Sequence, residues 1–244
     1  MCIRDRFFIS GCTMVERDIV KAAKEAGKKI VLRVDNIPRN SRNRNTGTSR
    51  LYDYAQMADL VVYQSQWARN FIGNFIKRNG SVILNGVDTN IFKPKGPKIA
   101  KEGNKQYLYV RYNRDENKRW EEAWFFFQDL ILDFNPKAHL WIVGKFSPEQ
   151  IEYNFDFFGG AEKRFKYWGV IESPEMMAQL YRGADYLLCP YYNDACSNVV
   201  AEAQACGLEI CHNGTGGIPE QIKAGVISNE EMGQRYLEEF KKLL

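Results

Sequence analysis

Short, nearly continuous apolar runs alternate along the chain with longer stretches in which apolar residues recur at helical spacing. Runs such as KIVLRV at residues 29–34 and LVVY at residues 60–63 are typical of strands buried on both faces of a parallel sheet. Strands are predicted at residues 7–10, 29–34, 60–63, 82–84, 107–111, 139–143, 165–170, 186–189 and 209–211. Helices are predicted at residues 15–26, 51–58, 66–77, 120–132, 148–158, 174–182, 198–206 and 229–244. This alternation predicts an α/β fold.

A stretch rich in proline, glycine and lysine separates two series of these elements. It covers residues 93–104 (KPKGPKIAKEGN) and has the composition of a linker between domains. We therefore predict one domain over residues 7–95 and another over residues 104–244, each Rossmann-like, with a cleft between them. Residues 1–6 fit no predicted element and are left out of this division.

Composition and charge change this picture little. The 244 residues are 45% hydrophobic and 26% charged, with a formal net charge of +4. These values are ordinary for a globular protein and do not by themselves indicate nucleic-acid binding. No apolar run reaches the ~20 residues that a membrane-spanning helix needs, so we expect at most peripheral membrane contact.

The cysteines could in principle bind zinc, but their spacing does not favour it. The chain has six cysteines and two histidines, and no two cysteines form a Cys-x-x-Cys pair. Small buried thiols in a reducing compartment are the simpler interpretation. We therefore expect a cytoplasmic protein without a zinc site.

The most informative stretch is residues 186–220, in which two strand–loop–helix turns follow one another. Ser197 or Asn198 can begin the first helix, and Pro219 stands where the next should begin, after a glycine-rich loop. Strands that are separated by one helix are expected to lie parallel, so both helices begin at the same edge of the sheet. Free N–H groups at helix N-termini bind anions, which suits a diphosphate.

Charged side chains are predicted at the same edge. Arg114 and Lys118 lie in the loop after the strand at residues 107–111, where parallel sheets bind ligands. Glu202 is one turn inside the helix that Asp194 precedes. These carboxylates could accept hydrogen bonds from a ribose and from a sugar ring, respectively. The sequence has no Asp-x-Asp pair to hold Mg²⁺ or Mn²⁺ against a nucleotide sugar, so no metal site is predicted.

Residues 33–50 (RVDNIPRNSRNRNTGTSR) have no hydrophobic periodicity and are predicted to form a loop. The loop could be a solvated connection, or a clamp in which Arg33, Arg39 and Arg42 grip an anionic group such as phosphate or carboxylate. A contact with nucleic acid is the least favoured interpretation, because no aromatic residues stand between the arginines to stack on bases. We do not predict a nucleic-acid partner.

Several motifs in the same order resemble the GT-B glycosyltransferases, specifically glycosyltransferase family 4. The signature there is a pair of glutamates separated by seven residues, then a Cys-Gly turn and a Gly-Gly-x-x-Glu loop. Here the chain reads DACSNVVAEAQACG at residues 194–207 and GGIPE at residues 216–220. Residues 82–94 (VILNGVDTNIFKP) resemble the family's hinge into its C-terminal domain. The resemblance covers most of residues 30–220.

The resemblance implies a GT-B-like fold, with two Rossmann-like domains facing a cleft, and a retaining transfer of sugar from a nucleotide-diphosphate donor without a required metal or cofactor. Glu202 would bind the ribose and Asp194 the donor sugar. Arg114 and Lys118 would hold the diphosphate and stabilise the leaving group, with Arg111 as a competing match. The other predicted donor-binding residues are Ser197, Asn198, Gly144, Gly216 and Gly217. The acceptor would be a glycan or a lipid-linked molecule.

The chain departs from the family pattern at two points. The first carboxylate is Asp194 rather than glutamate, so its reach is one methylene shorter. The family's first strand and glycine-rich loop have no counterpart before Phe7, and residues 11–13 stand where its histidine near the acceptor is expected. We therefore expect an incomplete N-terminal domain. The alternative function is a module that binds nucleotide sugars without turnover; a GT-B enzyme of another reaction, such as a sugar epimerase, fits the two carboxylates poorly.

Overall fold

The computed structural model of the chain describes residues 2–3, 6–10, 15–35, 47–112, 116–151 and 164–243. The chain divides into two compact units. The first consists of Met1–Gly86, Asn193–Ser197 and Gly216–Leu244, and the second of Val87–Tyr192 and Asn198–Thr215. The second unit therefore differs from the domain predicted over residues 104–244, because two later segments join the first unit.

The first unit contains a sheet in the order β1 (Cys2–Ile3), β2 (Arg6–Ser10), β3 (Lys29–Val34), β4 (Leu60–Tyr63) and β5 (Ser81–Val82). Strands β2 to β5 run parallel, whereas β1 is antiparallel to β2. Among residues 1–6, which were left out of the predicted division, Cys2, Ile3 and Arg6 belong to the sheet, because Cys2 pairs with Phe7 and Ile3 with Arg6. An edge strand of this length is too short to show a periodic pattern.

Helices cover both faces of this sheet. They are α1 (Arg17–Glu25), α2 (Gly47–Met57), α3 (Gln66–Ile76) and α10 (Asn229–Lys241). The first unit also contains α9 (Ile218–Ala224). Ile30 and Leu32 of β3 share one core with α1, α2 and α3, while Val31 faces the other side, where Tyr236 and Phe240 of α10 pack. Alternate residues of a strand point to opposite faces. The packing of α10 on the second face is why the end of the chain belongs to the first unit.

The second unit contains a parallel sheet in the order β10 (Glu209–His212), β9 (Tyr186–Cys189), β6 (Lys105–Arg111), β7 (Ala138–Gly144) and β8 (Phe165–Gly169). The prediction that the strands on either side of residues 198–206 lie parallel is confirmed, because Tyr186 pairs with Glu209 and Leu188 with Cys211. Parallel strands bring their carboxyl ends to one edge of the sheet, where the predicted donor-binding loops begin.

The helical elements of this unit are a 3-10 turn (Glu116–Lys118), α4 (Trp120–Phe125), a π-helix (Phe126–Ile131), α5 (Leu132–Phe134), α6 (Pro148–Ile151), α7 (Pro174–Gly183) and α8 (Asn198–Ala205). The single helix predicted at residues 120–132 is therefore interrupted by a π-helix, which the spacing of apolar residues does not reveal. The helix predicted at residues 148–158 ends at Ile151, and its remainder lies outside the described residues. Within the described ranges, no helix is long and apolar enough to cross a membrane.

Candidate functional site

The carboxyl ends of β6 and β7 meet at a position that requires glycine. Arg111 and Gly144 are register partners there. Gly144 has a φ of 134°, and a Cβ atom at this residue would lie 1.7 Å from the carbonyl oxygen of Arg111. Gly144 therefore allows two strands to approach closely, and its predicted contact with the donor stays a prediction.

Arg111, the competing match for a phosphate-binding cation, is enclosed by protein. It is 3% exposed, its guanidinium carbon lies 3.7 Å from the ring centroid of Phe146, and it donates to Gln150 at 2.9 Å. A guanidinium that is stacked in this way supports the segment after β7. Arg114 lies outside the described residues.

Lys118 is held beside the end of β9. Its Nζ atom lies 3.7 Å from the ring centroid of Tyr191, and its carbonyl oxygen accepts a hydrogen bond from the hydroxyl of Tyr109 at 2.9 Å. The N–H of Tyr192 donates to the carbonyl of Asn117 at 2.8 Å, which ties the 3-10 turn to the loop after β9. The ammonium group is thus fixed at the edge where the diphosphate was predicted.

Glu202 is a carboxylate that the fold removes from much of the solvent. It lies one turn inside α8 between the buried Ala201 and Ala203. Its Oε2 atom accepts a hydrogen bond from the hydroxyl of Tyr181 on α7 at 2.9 Å. Burial raises the pKa of Glu202 to about 7, and the hydrogen bond from Tyr181 opposes part of this rise. The protonation state of this side chain therefore changes near neutral pH.

A cavity of about 320 Å³ lies beside Glu202 in the second unit. Its lining residues are Phe92, Tyr112, Val170, Ile171, Glu172, Pro174, Met177 and Glu202. Apolar side chains form most of its walls and carboxylates supply polar groups. This combination suits a ligand that has one apolar, planar part and one part with hydroxyl groups.

Another cavity, of about 310 Å³, lies between α4 and the ends of β9 and β10. It is lined by Glu122, Ala123, Phe126, Leu188, Cys189, Pro190, Cys211, His212 and Asn213. None of the predicted site residues that the structure describes lines it. The cavity beside Glu202 is therefore the one that coincides with a predicted donor-binding residue.

The segment Asn193–Ser197, which carries Asp194, packs against the glycine loop of the first unit. The carbonyl of Asp194 accepts a hydrogen bond from the N–H of Gly217 at 2.8 Å. Gly216 has a φ of 71°, and a Cβ atom there would lie 2.4 Å from the same carbonyl oxygen. The loop that was predicted to offer its amides to phosphate thus uses the amide of Gly217 to hold the backbone of Asp194.

Ser197 and Asn198 stand at the start of α8. Ser197 is 3% exposed, and its hydroxyl makes no hydrogen bond among the described residues, so it does not cap the helix through its side chain. Its N–H donates to Oε1 of Gln221 at 3.0 Å, and its carbonyl accepts from Nε2 of Gln221 at 2.8 Å. Nothing in the sequence around Gln221 distinguishes it from an ordinary helix glutamine, so this contact was missed.

Glu220, the last residue of the glycine-rich motif, caps a distant helix. Its two carboxylate oxygens accept hydrogen bonds from the N–H of Gln66 at 2.9 and 2.8 Å, and one also accepts from the N–H of Trp67 at 3.3 Å. Ser65 caps the same helix by accepting from the N–H of Ala68 at 3.0 Å. A carboxylate at the N-terminus of α3 also has a favourable interaction with the helix dipole.

Arg33 lies in a polar cluster at the carboxyl ends of β3 and β4. Its guanidinium is 3.4 Å from the carboxylate of Asp35 and donates to Oδ1 of Asn85 at 2.5 Å. Gln64 donates to Asp35 at 3.2 Å and to Asn85 at 3.0 Å. The charge of Arg33 is thus balanced by a neighbouring carboxylate. Arg39 and Arg42 lie outside the described residues, so the anion clamp stays a prediction.

The clustered cysteines carry free thiols. Cys189, Cys196 and Cys206 are buried and Cys211 is partly so. Burial raises the pKa of Cys196 to about 12 and that of Cys206 to about 11, so both remain thiols at neutral pH. In the part of the chain that the structure describes, no group of three or more His, Cys, Asp or Glu side chains could hold a metal ion.

Curated relatives match parts of the chain. The D-inositol 3-phosphate glycosyltransferase of Segniliparus rotundus is 25% identical over 176 residues, which cover 67% of this chain and 38% of that protein. The protein of the same name from Corynebacterium jeikeium is 40% identical over 52 residues, which cover 21% of this chain and 12% of that protein. The chain therefore spans well under half the length of these relatives.

Solved structures share the fold. HepE from Anabaena in complex with UDP-glucose aligns with a TM-score of 0.66 and 19% identity over 89% of this chain and 64% of its own. Sucrose-phosphate synthase from Thermosynechococcus elongatus aligns with a TM-score of 0.63 and 18% identity over 81% of this chain and 53% of its own. At these identities the likeness concerns the fold alone. It confirms the Rossmann-like GT-B fold that the resemblance implied.

One family profile, described as glycosyl transferases group 1, matches residues 111–244. The match includes Lys118, Asp194, Glu202 and the glycine loop at residues 216–220. Since it covers more than half of the chain, the chain belongs to the glycosyl transferases group 1 family.

Proposed function

We propose that the chain is a family 4 glycosyltransferase that moves a hexose from a nucleotide-diphosphate donor to an acceptor, with retention of configuration and without a required metal. The observation that carries this proposal is the partly buried carboxylate of Glu202, which Tyr181 holds beside a largely apolar cavity of about 320 Å³. A fixed carboxylate in such a setting is suited to accept hydrogen bonds from both hydroxyls of a ribose.

In this proposal the cavity receives the nucleoside. The ribose lies at Glu202, and the base contacts the apolar side chains of Val170, Ile171 and Met177. An ionised carboxylate accepts two hydrogen bonds from a ribose, whereas a protonated one loses part of that capacity. Because the pKa of Glu202 is about 7, nucleotide affinity should fall as the pH drops below neutral.

The diphosphate lies at the edge that carries Lys118. When the bond between the anomeric carbon and the phosphate oxygen breaks, negative charge develops on the departing nucleoside diphosphate. Lys118, together with Arg114, stabilises that charge, which is the main catalytic contribution in this proposal. Asp194 holds the donor sugar. The acceptor hydroxyl gives its proton to the departing diphosphate oxygen as its own oxygen bonds to the anomeric carbon, on the face that the leaving group occupied.

The relatives indicate which substrates to test first. One structural neighbour was solved with UDP-glucose, and the matched relatives are named as glycosyltransferases of D-inositol 3-phosphate. UDP-sugars are therefore the first donors to test, with glycans and lipid-linked molecules as acceptors. An anionic acceptor would contact the arginine clamp formed by Arg33, Arg39 and Arg42. Free buried thiols support a cytoplasmic site of action.

A second candidate function is a module that binds nucleotide sugars without turnover. It is supported by the position of the cavity and of Glu202, which both lie within the second unit. The same cavity and the same carboxylate would serve this function, but no acceptor would be glycosylated.

A screen of UDP- and GDP-sugars by calorimetry, run beside a transfer assay, tests both candidates. Transfer that Asp194→Ala and Glu202→Ala abolish, while the exposed Glu209→Ala does not, is the expected result. NMR of the product tests retention, and activity in excess EDTA tests metal independence. Binding without transfer or donor hydrolysis would favour the second candidate, and unchanged transfer in both carboxylate variants would rule out the first.

A further inference from the structure

The side chain of Gln221 on α9 pairs with the backbone of Ser197 as a neighbouring strand would. Its Oε1 accepts from the N–H of Ser197 at 3.0 Å, and its Nε2 donates to the carbonyl of Ser197 at 2.8 Å. Both residues are 3% exposed and both belong to the first unit. Water cannot replace these contacts without entering a buried region, so the pairing fixes Ser197 in one place.

Two further contacts hold the same segment. Nδ2 of Asn85 donates to the carbonyl of Cys196 at 2.9 Å, and the N–H of Gly217 donates to the carbonyl of Asp194 at 2.8 Å. Ala195 and Cys196, between these points, are 0% and 5% exposed. The backbone around Asp194 is therefore held by Asn85 in the segment after β5, by Gly217 in the glycine loop and by Gln221 on α9.

We propose that Gln221 is a positioning residue that fixes the segment Asn193–Ser197 and thereby sets the place of the Asp194 carboxylate for the donor sugar. The inference rests on the proposed function, in which Asp194 holds that sugar. Gln221 does not touch the substrate, and it acts through the backbone of Ser197.

The chemistry of the side chain explains why glutamine stands here. An amide presents a donor and an acceptor side by side, and it can satisfy the N–H and the carbonyl of one residue together. A methionine of similar length offers neither, and an asparagine is one methylene too short to reach both groups. Asp194 is already one methylene shorter than the family's glutamate, so a fixed backbone matters more for its reach.

Positioning effects of this kind can be large. A displacement of about 1 Å of a reacting group costs on the order of 100-fold in rate. We therefore expect Gln221→Met to lower kcat for sugar transfer by about 10- to 100-fold. Affinity for UDP alone should stay within about 3-fold, because the proposed nucleoside contacts lie on Glu202 in the second unit.

Gln56 offers a control for the loss of a glutamine amide in the same unit. Its Nε2 donates to the carbonyl of Ile76 at 2.8 Å, away from the segment that carries Asp194. Because Gln56 is exposed, Gln56→Met should lower stability less than Gln221→Met, and it should leave kcat and donor KM unchanged. Gln221→Asn keeps the amide and the polarity of the site, so it provides a second variant if Gln221→Met does not fold.

Hydrogen exchange of the full chain tests the pairing of Gln221 with Ser197 independently of catalysis. In Gln221→Met and Gln221→Asn, the amides of residues 194–198 should exchange at least about 10-fold faster, and in Gln56→Met they should not change. Unchanged exchange in the Gln221 variants, or faster exchange with full kcat, would overturn the inference while the proposed function stands. Absence of both UDP-sugar binding and transfer in the unsubstituted chain would overturn the proposed function, and this inference with it.

Discussion

The hydroxyl of Tyr181 donates a hydrogen bond to the carboxylate of Glu202 at 2.9 Å, and Tyr181 is completely buried. Burial raises the pKa of Tyr181 well above its usual value, so its hydroxyl stays protonated and able to donate at neutral pH. The pair joins α7 to α8. It keeps a partly desolvated carboxylate in one orientation beside the cavity that we assign to the nucleoside.

Removing this hydroxyl should weaken nucleotide binding through Glu202. In Tyr181→Phe the carboxylate loses its donor, so the pKa of Glu202 should rise above about 7 and less of it is ionised at neutral pH. We expect UDP affinity at pH 7 to fall by about 5- to 10-fold and the difference to shrink at pH 9. Calorimetry at both pH values checks this, with Tyr107→Phe as the control hydroxyl deletion elsewhere in the unit. Equal affinities at pH 7 would contradict the role given to the pair.

Glu202 should also lower stability at alkaline pH. Its pKa is raised from 4.5 to about 7 in the folded chain, so its contribution to stability is fully present below pH 4.5 and is lost as the pH rises through about 7. Glu202→Gln removes this loss. From pH 5 to pH 8, the free energy of unfolding of Glu202→Gln should therefore rise by about 1–3 kcal/mol relative to that of the unsubstituted chain.

Urea unfolding of the two proteins at both pH values measures that difference. Glu209→Gln, which removes a charge from an exposed position of the same unit, is the control. A gain for Glu202→Gln that does not depend on pH would show that burial does not control this carboxylate.

The sequence alone located most of the strands. The apolar runs at residues 29–34, 60–63 and 186–189 coincide with β3, β4 and β9, because a strand buried on both faces shows in composition alone. The packing of α10 on the sheet of the first unit and the hydrogen bond between Tyr181 and Glu202 could not be found in this way. They depend on how distant segments pack, and no local pattern records such contacts.

Glu220 illustrates that limit and also gives a stability prediction. It is 154 positions from Gln66, and both of its carboxylate oxygens accept a hydrogen bond from the N–H of Gln66. Glu220→Ala leaves this end of α3 to the Ser65 cap alone and should lower the free energy of unfolding by about 1–2 kcal/mol. Chemical denaturation measures the loss, with the exposed Glu238→Ala on α10 as the control. Equal losses in the two variants would argue against a capping role.

Alanine substitutions at two glycines of one loop distinguish the effect of backbone strain from that of steric contact. Gly214 and Gly216 both have positive φ, of 79° and 71°, so alanine at either position carries a similar strain of about 1–2 kcal/mol. A Cβ atom at Gly214 would meet no atom within 4 Å, whereas one at Gly216 would lie 2.4 Å from the carbonyl oxygen of Asp194. Gly216→Ala must therefore displace the backbone of Asp194.

We expect Gly214→Ala to retain transfer activity and Gly216→Ala to lose about 10- to 100-fold in kcat, beyond a similar loss of stability from strain. Steady-state kinetics beside thermal unfolding checks both. If the two variants lost the same activity, strain in the loop rather than the position of Asp194 would govern transfer.

Lys118 should contribute to transfer through its charge and little to folding. Its Nζ lies 3.7 Å from the ring centroid of Tyr191 at the carboxyl edge of the sheet. Lys105 makes a similar contact with Tyr186, at 5.3 Å, at the amino end of β6. Lys118→Met and Lys105→Met therefore each remove one cation from one aromatic ring and should each lower the free energy of unfolding by about 0.5–1 kcal/mol.

Only Lys118→Met should lower kcat, by about 100-fold, because it alone removes charge stabilisation from the departing diphosphate. Measuring kcat with UDP-glucose over a range of salt concentrations completes the test, since loss of the cation should also reduce the salt dependence of donor binding. An equal fall of kcat in both variants would mean that packing at the sheet, and not charge at the diphosphate, limits the reaction.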